Sequence, residues 1–219
     1  VLKNWSLAMK NRSLLILVLL ILPLGLRAQK EAFHKKQFIS EQDTLKYRVL
    51  YPENFSESKK YPLLLFLHGA GERGNDNESQ LVHGSSLFLK DEIRKKYPAI
   101  IIFPQVPKDD YWAQVVIDRD SFPLQFDFKN LEAPTTAMKL TMSLIDSVVE
   151  QKFVNKNKVY VGGLSMGGMG TFEILSRKPE IFASAFAICG AADPAVIDLY
   201  KKDLQIWIFH GEKDNVVSP

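Results

Sequence analysis

The chain has 219 residues, of which 46% are hydrophobic and 24% are charged, a composition typical of one globular domain with a sizeable core. Lysine and arginine together number 28, against 25 aspartates and glutamates. Four of these cations lie in the first 28 residues, which contain no acidic residue, so the basic excess belongs to that segment and predicts no nucleic-acid partner.

Residues 1–28 have the layout of a secretory signal peptide. Lys10 and Arg12 precede an unbroken apolar run over residues 14–22, and Ala28 is a small residue at the expected cleavage site. The apolar run is shorter than the roughly 18 residues that a membrane crossing needs, and Met9 is the expected start of the peptide. We therefore expect a secreted or periplasmic protein with no stable membrane anchor after cleavage. A buried core helix or an uncleaved anchor is the alternative.

Apolar runs in the remainder of the chain predict β-strands. The first run alternates apolar and polar residues, as a half-buried strand does, whereas the later runs are apolar on both faces, as strands within a parallel sheet are. Helical patterns separate many of them, so we expect one α/β domain over residues 29–219, with a mostly parallel sheet and helices on both faces. The predicted strands are residues 45–51, 61–67, 99–103, 159–161, 181–188 and 204–209.

Three helices are predicted between these strands. The clearest covers residues 134–153, where Met138, Met142, Ile145 and Val149 share one face at helical spacing. Another lies within residues 79–96, and a third begins just after Ser165 and runs to about residue 178.

Residues 108–133 show no sustained periodicity but are rich in aromatic residues. Long irregular connections in compact domains are commonly functional, and this aromatic content is unlike that of disordered segments. We interpret the segment as a substrate-facing loop or lid in which Trp112 binds substrate; a packed excursion without that role is the alternative.

The pentapeptide Gly-Leu-Ser-Met-Gly at residues 163–167 matches the pattern G-x-S-x-G. It follows a predicted strand and opens a predicted helix, which is the context of a nucleophile elbow. Ser165 is therefore the candidate nucleophile, on a sharp turn that leaves no room for side chains at the flanking glycines.

A glycine-rich loop, His-Gly-Ala-Gly-Glu-Arg-Gly at residues 68–74, follows the second predicted strand. In proteins with a nucleophile elbow, this loop and the residue after the nucleophile each supply one backbone N–H to the oxyanion hole. The candidate donors are therefore Ala70 and Met166. We expect His68 to brace the loop by hydrogen bonding rather than to act as a base, and Glu72 to pair with Arg73.

The last predicted strand is followed by His210-Gly211-Glu212-Lys213-Asp214. A carboxylate just past this strand could orient a catalytic histidine and stabilise the imidazolium that forms during attack. Asp214 is the first candidate, Asp193 the second and Glu212 the third.

Residues 68–74, the pentapeptide at 163–167 and the segment 210–214 together resemble the secreted esterase and predicted-peptidase branch of the α/β-hydrolases. That branch is similar to feruloyl esterases, polyhydroxybutyrate depolymerases and the catalytic domain of prolyl oligopeptidases. The resemblance covers about residues 45–219 and implies an α/β-hydrolase fold whose last strand and histidine loop are missing from this chain.

The resemblance also implies a catalytic histidine after the acid, because the triad order in this fold is Ser, then Asp or Glu, then His. The sequence contains His34, His68, His83 and His210, all of which precede Asp214. We expect a C-terminally incomplete catalytic domain; a pseudoenzyme is the alternative.

The expected activity is hydrolysis of carboxylic esters through an acyl-enzyme on Ser165, on small molecules or on acyl or feruloyl groups linked to polysaccharides. No metal or organic cofactor is expected. A serine peptidase of the prolyl oligopeptidase type and an inactive protein that binds carbohydrate or acyl ligands are the alternatives. The sequence does not predict the oligomeric state.

Overall fold

A computed structural model describes residues 31–129 and 132–218. The predicted signal peptide, residues 1–28, lies outside these described residues. Within them, no helix has both the length and the apolar character that a membrane span requires.

A mixed sheet of seven strands forms the centre of the unit that begins at His34. Its strand order is β1-β2-β4-β3-β7-β8-β9, and β5 and β6 form a separate antiparallel pair. The two pairings that involve β2 are antiparallel, whereas all other neighbours in the sheet are parallel. The strands are β1 (His34–Ser40), β2 (Asp43–Leu50), β3 (Tyr61–Leu67), β4 (Ile100–Gln105), β5 (Val115–Asp118), β6 (Gln125–Phe128), β7 (Val154–Leu164), β8 (Ser184–Ile188) and β9 (Gln205–Phe209). The prediction of a mostly parallel sheet is confirmed.

Strand β1 is absent from the sequence-based prediction. Its residues are mostly polar and exposed, because it forms the edge of the sheet and pairs only with β2. A strand in that position needs no apolar run, so hydrophobicity alone does not reveal it.

The helices follow the prediction in position but not in length. The helix that begins at Thr136 ends at Val149, four residues before the predicted end, because Gln151 N–H bonds the Val148 carbonyl and the chain turns into β7. The predicted helix within residues 79–96 is a 3₁₀ turn, Ser79–Leu81, followed by two short helices. Gly84, with φ of 82°, separates the turn from the first helix, and the extended Lys90 separates the two helices. The helices are α1 (Ser85–Phe88), α2 (Asp91–Lys96), α3 (Thr136–Val149) and α4 (Met166–Arg177).

Helices pack on both faces of the sheet. Leu63, Leu65 and Leu67 of β3 are fully buried in a core that includes Met138 of α3 and Ile174 of α4. On the opposite face, aromatic rings of β3 and β4 contact the ring of Phe88 in α1. This arrangement brings the carboxyl ends of β3, β7 and β8 together at one edge of the sheet, where α4 begins.

Strand β9 is the outermost strand of the described sheet on the side away from β1. Trp207, Ile208 and Phe209 are 72%, 61% and 49% exposed. Trp207 and Phe209 also line an apolar groove of about 890 Å³ that extends across β7 and β8 to the short helices α1 and α2.

Candidate active site

Ser165 lies at the sharp junction between β7, which ends at Leu164, and α4, which begins at Met166. Its backbone has φ of 53° and ψ of −118°, a conformation that non-glycine residues adopt only where the surrounding structure holds them in it. The Ser165 N–H donates to the Ile188 carbonyl of β8 over 2.7 Å, and its own carbonyl accepts from Met169 N–H. Strand, helix and the neighbouring strand therefore all hold this residue in its strained conformation.

The flanking glycines are required by close backbone approach. A Cβ atom on Gly167 would overlap the Leu67 carbonyl at the end of β3, and one on Gly163 would overlap the Gly167 carbonyl. The elbow thus packs directly on the end of β3, just before the glycine-rich loop. This close packing explains why glycine occupies both flanking positions of the pentapeptide.

The two predicted oxyanion-hole donors lie on the glycine-rich loop and on the start of α4, which the close packing of the elbow on β3 brings together. Ala70 begins a 3₁₀ turn, Ala70–Glu72, directly after Gly69, and Met166 is the first residue of α4. Neither backbone amide donates a hydrogen bond within the residues that the structure describes. The Met166 N–H also lies at the positive end of the α4 dipole, where negative charge is stabilised.

His68 braces the loop, as the sequence predicts. It is 1% exposed, its Nδ1 lies 2.7 Å from the Gly69 carbonyl, and its Nε2 accepts from Val106 N–H over 3.0 Å. Because Nε2 is an acceptor, Nδ1 carries the proton and donates, and the ring is neutral. Burial lowers the pKa of His68 to about 4. With both nitrogens bonded to the backbone, at Gly69 and at Val106 just after β4, His68 is not available as a general base.

The prediction that Trp112 binds substrate is wrong for this structure. Its side chain is fully buried, its indole N–H donates to the His68 carbonyl over 3.0 Å, and its Cβ packs against Gly170 of α4. Trp112 therefore fills the space between the nucleophile helix and the glycine-rich loop instead of facing a ligand.

The expected pairing of Glu72 with Arg73 is also wrong. Glu72 lies 3.5 Å from the His83 imidazole. Arg73 instead donates from Nε to the Ala70 carbonyl and from Nη1 to the carbonyls of Lys108 and Asp110, at 3.1, 3.0 and 3.2 Å.

Asp214 lies in a turn just past β9. Its Oδ1 accepts from the N–H groups of Val216 and Val217 over 2.9 and 3.0 Å, and its Oδ2 lies 3.6 Å from His210 Nε2. The bonds from Val216 and Val217, with a smaller contribution from His210, lower the pKa of Asp214. The carboxylate is therefore ionised at neutral pH, and Oδ2 makes no hydrogen bond within the described part of the chain.

The other two acidic candidates are differently placed. Asp193 caps the 3₁₀ helix Pro194–Leu199 by accepting from Ala195 N–H over 2.9 Å. Glu212 is exposed in the turn after β9.

No histidine in the described residues hydrogen-bonds the Ser165 hydroxyl. His210 Nε2 bonds the Val217 carbonyl over 2.8 Å, and His34 and His83 are exposed. The described residues also contain no cluster of three or more His, Cys, Asp or Glu side chains that could hold a metal ion.

The aromatic segment contains a hairpin, β5–β6, that the sequence-based prediction missed. The alternation Gln125-Phe126-Asp127-Phe128 is a period-two signal that could have revealed β6. Phe126 and Phe128 stack with centroids 6.2 Å apart. They pack against a small cluster of Ala113, Val217 and Met169, which lies one turn after Ser165. A cavity of about 440 Å³ lies between β6 and the loop after β8 and is lined in part by Gln125, Asp127 and Asp193.

Comparisons with known proteins identify relatives of this chain. A family described as "Putative esterase" matches residues 40–216. Lysophospholipase-like protein 1 of Mus musculus is 28% identical over 164 residues, which are 70% of this chain and 66% of the mouse protein.

Two solved structures show similar folds. A thermostable esterase superposes with a TM-score of 0.76 and 31% identity, covering 87% of this chain and 49% of that chain. Acetyl xylan esterase from Aspergillus awamori gives a TM-score of 0.56 at 15% identity, covering 85% of this chain and 75% of that chain. The chain thus spans about half the length of the thermostable esterase.

Proposed function

Because this chain belongs to the Esterase family and has the α/β-hydrolase fold, we propose that it is the catalytic domain of a serine hydrolase that cleaves carboxylic esters. The observation that carries the proposal is the strained backbone of Ser165 between β7 and α4, next to the glycine-rich loop. This is the position of the nucleophile in a nucleophile elbow.

In the proposed reaction, the Ser165 hydroxyl oxygen attacks the ester carbonyl carbon while its proton passes to a histidine base. The resulting tetrahedral intermediate collapses, the alcohol leaves with that proton, and an acyl-enzyme remains. Water then attacks the acyl-enzyme by the same route and releases the carboxylic acid and free Ser165.

The negative charge of each tetrahedral intermediate would be bound by the amides of Ala70 and Met166. Both amides lack acceptors within the described residues, so they need no rearrangement when the oxyanion forms. Preorganised donors of this kind are commonly the largest electrostatic contribution to such reactions.

The histidine base would be oriented by Asp214, whose carboxylate is ionised and whose Oδ2 can accept an imidazole N–H. Because the triad order in this fold is Ser, then Asp or Glu, then His, the proposal requires a histidine that follows Asp214 in sequence.

The proposed substrates are esters of small molecules or of polysaccharides, such as acyl or feruloyl groups on sugars. The cavity beside β6 supports this class, since its lining combines polar residues, Gln125, Asp127 and Asp193, with the aromatic residues Phe126 and Phe128. The fold is shared with an acetyl xylan esterase.

The test compares the complete protein with its Ser165→Ala variant on a p-nitrophenyl ester and on the anilide of the same acyl group. We expect Ser165→Ala to lower kcat by about 10⁴-fold or more, whereas Ser86→Ala, which alters an exposed serine of α1, should leave kcat unchanged. Equal turnover by wild type and Ser165→Ala would refute the serine mechanism. Faster cleavage of the anilide would indicate a peptidase, and binding of ester ligands without turnover an inactive binding protein.

We also propose that the protein is exported, on the basis of the charge and apolar pattern of residues 1–28. Expression of the gene with its leader, followed by N-terminal sequencing of the product outside the cytoplasm, should give a mature chain that begins at Gln29. Retention of an intact leader in the cytoplasm would contradict export.

A further inference from the structure

Three successive carbonyl groups in the glycine-rich loop each accept a hydrogen bond from a side chain. The His68 carbonyl accepts from Trp112, the Gly69 carbonyl from His68, and the Ala70 carbonyl from Arg73. Because a peptide group is planar, fixing its carbonyl also fixes the direction of the N–H that follows.

Ala70 lies between the second and the third of these planes. The first plane that borders it contains the Gly69 carbonyl and the Ala70 N–H, and the His68 ring holds it. The other contains the Ala70 carbonyl, and the Arg73 Nε holds it over 3.1 Å. The Gly69 carbonyl also accepts from Glu72 N–H over 3.3 Å. The bonds from His68, Glu72 and Arg73 together restrain the two backbone torsions of Ala70.

Arg73 connects this loop to a rigid part of the fold. Its Nη1 donates to the Lys108 and Asp110 carbonyls, and its guanidinium lies 5.1 Å from the centroid of the Tyr111 ring. The Asp110 carboxylate in turn accepts from Ala137 N–H in the first turn of α3 over 2.7 Å. The Ala70 carbonyl is thus connected to α3 through the Arg73 side chain and the Asp110 carboxylate.

We propose that Arg73 is a positioning residue for the oxyanion hole: by holding the peptide plane between Ala70 and Gly71, it restrains the backbone torsions of Ala70 and so helps to keep the Ala70 N–H in the orientation that binds the oxyanion. The inference rests on the proposed serine hydrolase function. Arg73 acts through the backbone and through the geometry of its planar guanidinium, which bonds in two directions at once, as a lysine ammonium on a flexible stem does not.

The experiment uses the complete protein and compares wild type, Arg73→Lys and Arg73→Met on a p-nitrophenyl ester and on the matching thionoester. The thionoester places sulphur where the oxyanion would form, so the ratio of the two rates reports on the oxyanion hole itself. Arg94→Met is the matched control, because Arg94 is also a half-buried arginine that bonds a loop carbonyl, that of Tyr51 over 3.1 Å, but lies on α2.

Loss of a direct oxyanion-hole donor lowers kcat by about 10²–10³-fold, so for a residue that positions a donor we expect a loss of about 10-fold or more. Both Arg73 variants should show this loss with KM changed by less than about 3-fold, and the oxoester-to-thionoester ratio should fall. Arg94→Met should keep the wild-type kcat and ratio, whatever its effect on the melting temperature. Should Arg73→Met fail to fold, Arg73→Lys supports the same comparison.

Unchanged kcat in a folded Arg73→Met variant would overturn the inference, as would a loss confined to KM. Full activity in Arg73→Lys would assign the effect to charge instead of geometry and would also overturn it. If wild type itself shows no turnover that depends on Ser165, the proposed function fails, and this inference fails with it.

Discussion

Backbone approach determines which side chains are tolerated around Ser165. Gly163 and Gly167 leave room for the end of β3, and Gly170 leaves room for the Cβ of Trp112. The indole fills the space beside Gly170 and bonds the loop at the His68 carbonyl. Small residues on the helix and a large one opposite thus form a single packed contact between the nucleophile helix and the oxyanion loop.

Substitution of Trp112 should therefore lower stability. Trp112→Ala should reduce the free energy of unfolding by about 3–5 kcal/mol, since a large buried side chain is lost. Trp112→Phe should cost about 1–3 kcal/mol, because the buried His68 carbonyl loses its indole donor. Urea unfolding measures both effects.

The matched control for Trp112 is Trp207→Phe. Trp207 is 72% exposed, and its substitution should change the free energy of unfolding by less than about 0.5 kcal/mol. An unchanged unfolding midpoint for Trp112→Phe, together with a raised KM, would restore the original expectation that Trp112 binds substrate.

At the scale of elements, the segment between β4 and β5 joins α3 to the active site. Thr135 caps α3 by accepting from Met138 N–H, and its hydroxyl donates to the Tyr111 carbonyl. Asp110 accepts from Tyr111 N–H and from Ala137 N–H, each over 2.7 Å. The helix start and the segment that supports the glycine-rich loop are therefore fixed by the same side chains.

Asp110→Ala should lower the free energy of unfolding by about 1 kcal/mol, which is typical for loss of a carboxylate that accepts from the first turn of a helix. Asp109 is exposed and adjacent to Asp110 in sequence, so Asp109→Ala should change the free energy of unfolding by less than about 0.5 kcal/mol. Chemical denaturation measures the free energy of unfolding of both variants. Equal decreases would show that the hydrogen bond from Ala137 N–H to Asp110 contributes nothing to stability.

At the scale of the whole molecule, the burial of His68 couples folding to pH. In the unfolded chain a histidine has a pKa of about 6.5, whereas in the folded protein burial lowers the pKa of His68 to about 4. The unfolded state therefore binds this proton more readily. The contribution of neutral His68 to stability is complete above about pH 6.5 and is lost progressively as the pH falls toward about 4.

The loss amounts to roughly 3 kcal/mol once the pH is below both pKa values. Measured between pH ~7 and ~4.5, the decrease in unfolding free energy should be clearly smaller in His68→Gln than in wild type. His34→Gln, which changes an exposed histidine of β1, serves as the control. The prediction fails if His68→Gln keeps the wild-type pH dependence.

Several features of the whole molecule follow from local sequence. Strand β3 has the predicted bounds, and β4, β7 and β8 overlap predicted strands, because strands inside a parallel sheet need apolar residues on both faces. Strand β9 also overlaps a predicted strand, although its apolar side chains are largely exposed in the described sheet. The α/β-hydrolase fold and the family were also predicted correctly, since the elbow and the glycine-rich loop are short motifs imposed by close backbone packing. Strand β1 and the β5–β6 hairpin were missed because neither is buried on both faces.

The sequence by itself determined the order of the strands other than β1, β5 and β6, the positions of the helices, the family and the candidate nucleophile. These depend on local apolar periodicity and on glycines that are sterically required. Only the tertiary structure decided that Trp112 is buried and that Asp193 caps a 3₁₀ helix. It also decided that Arg73 donates to the Ala70 carbonyl instead of pairing with Glu72. These outcomes depend on which segments, distant along the chain, meet at the carboxyl edge of the sheet. Residue type fixes what a side chain can bond, but the packing of β3, α4 and the 106–112 segment fixes which partner lies within reach.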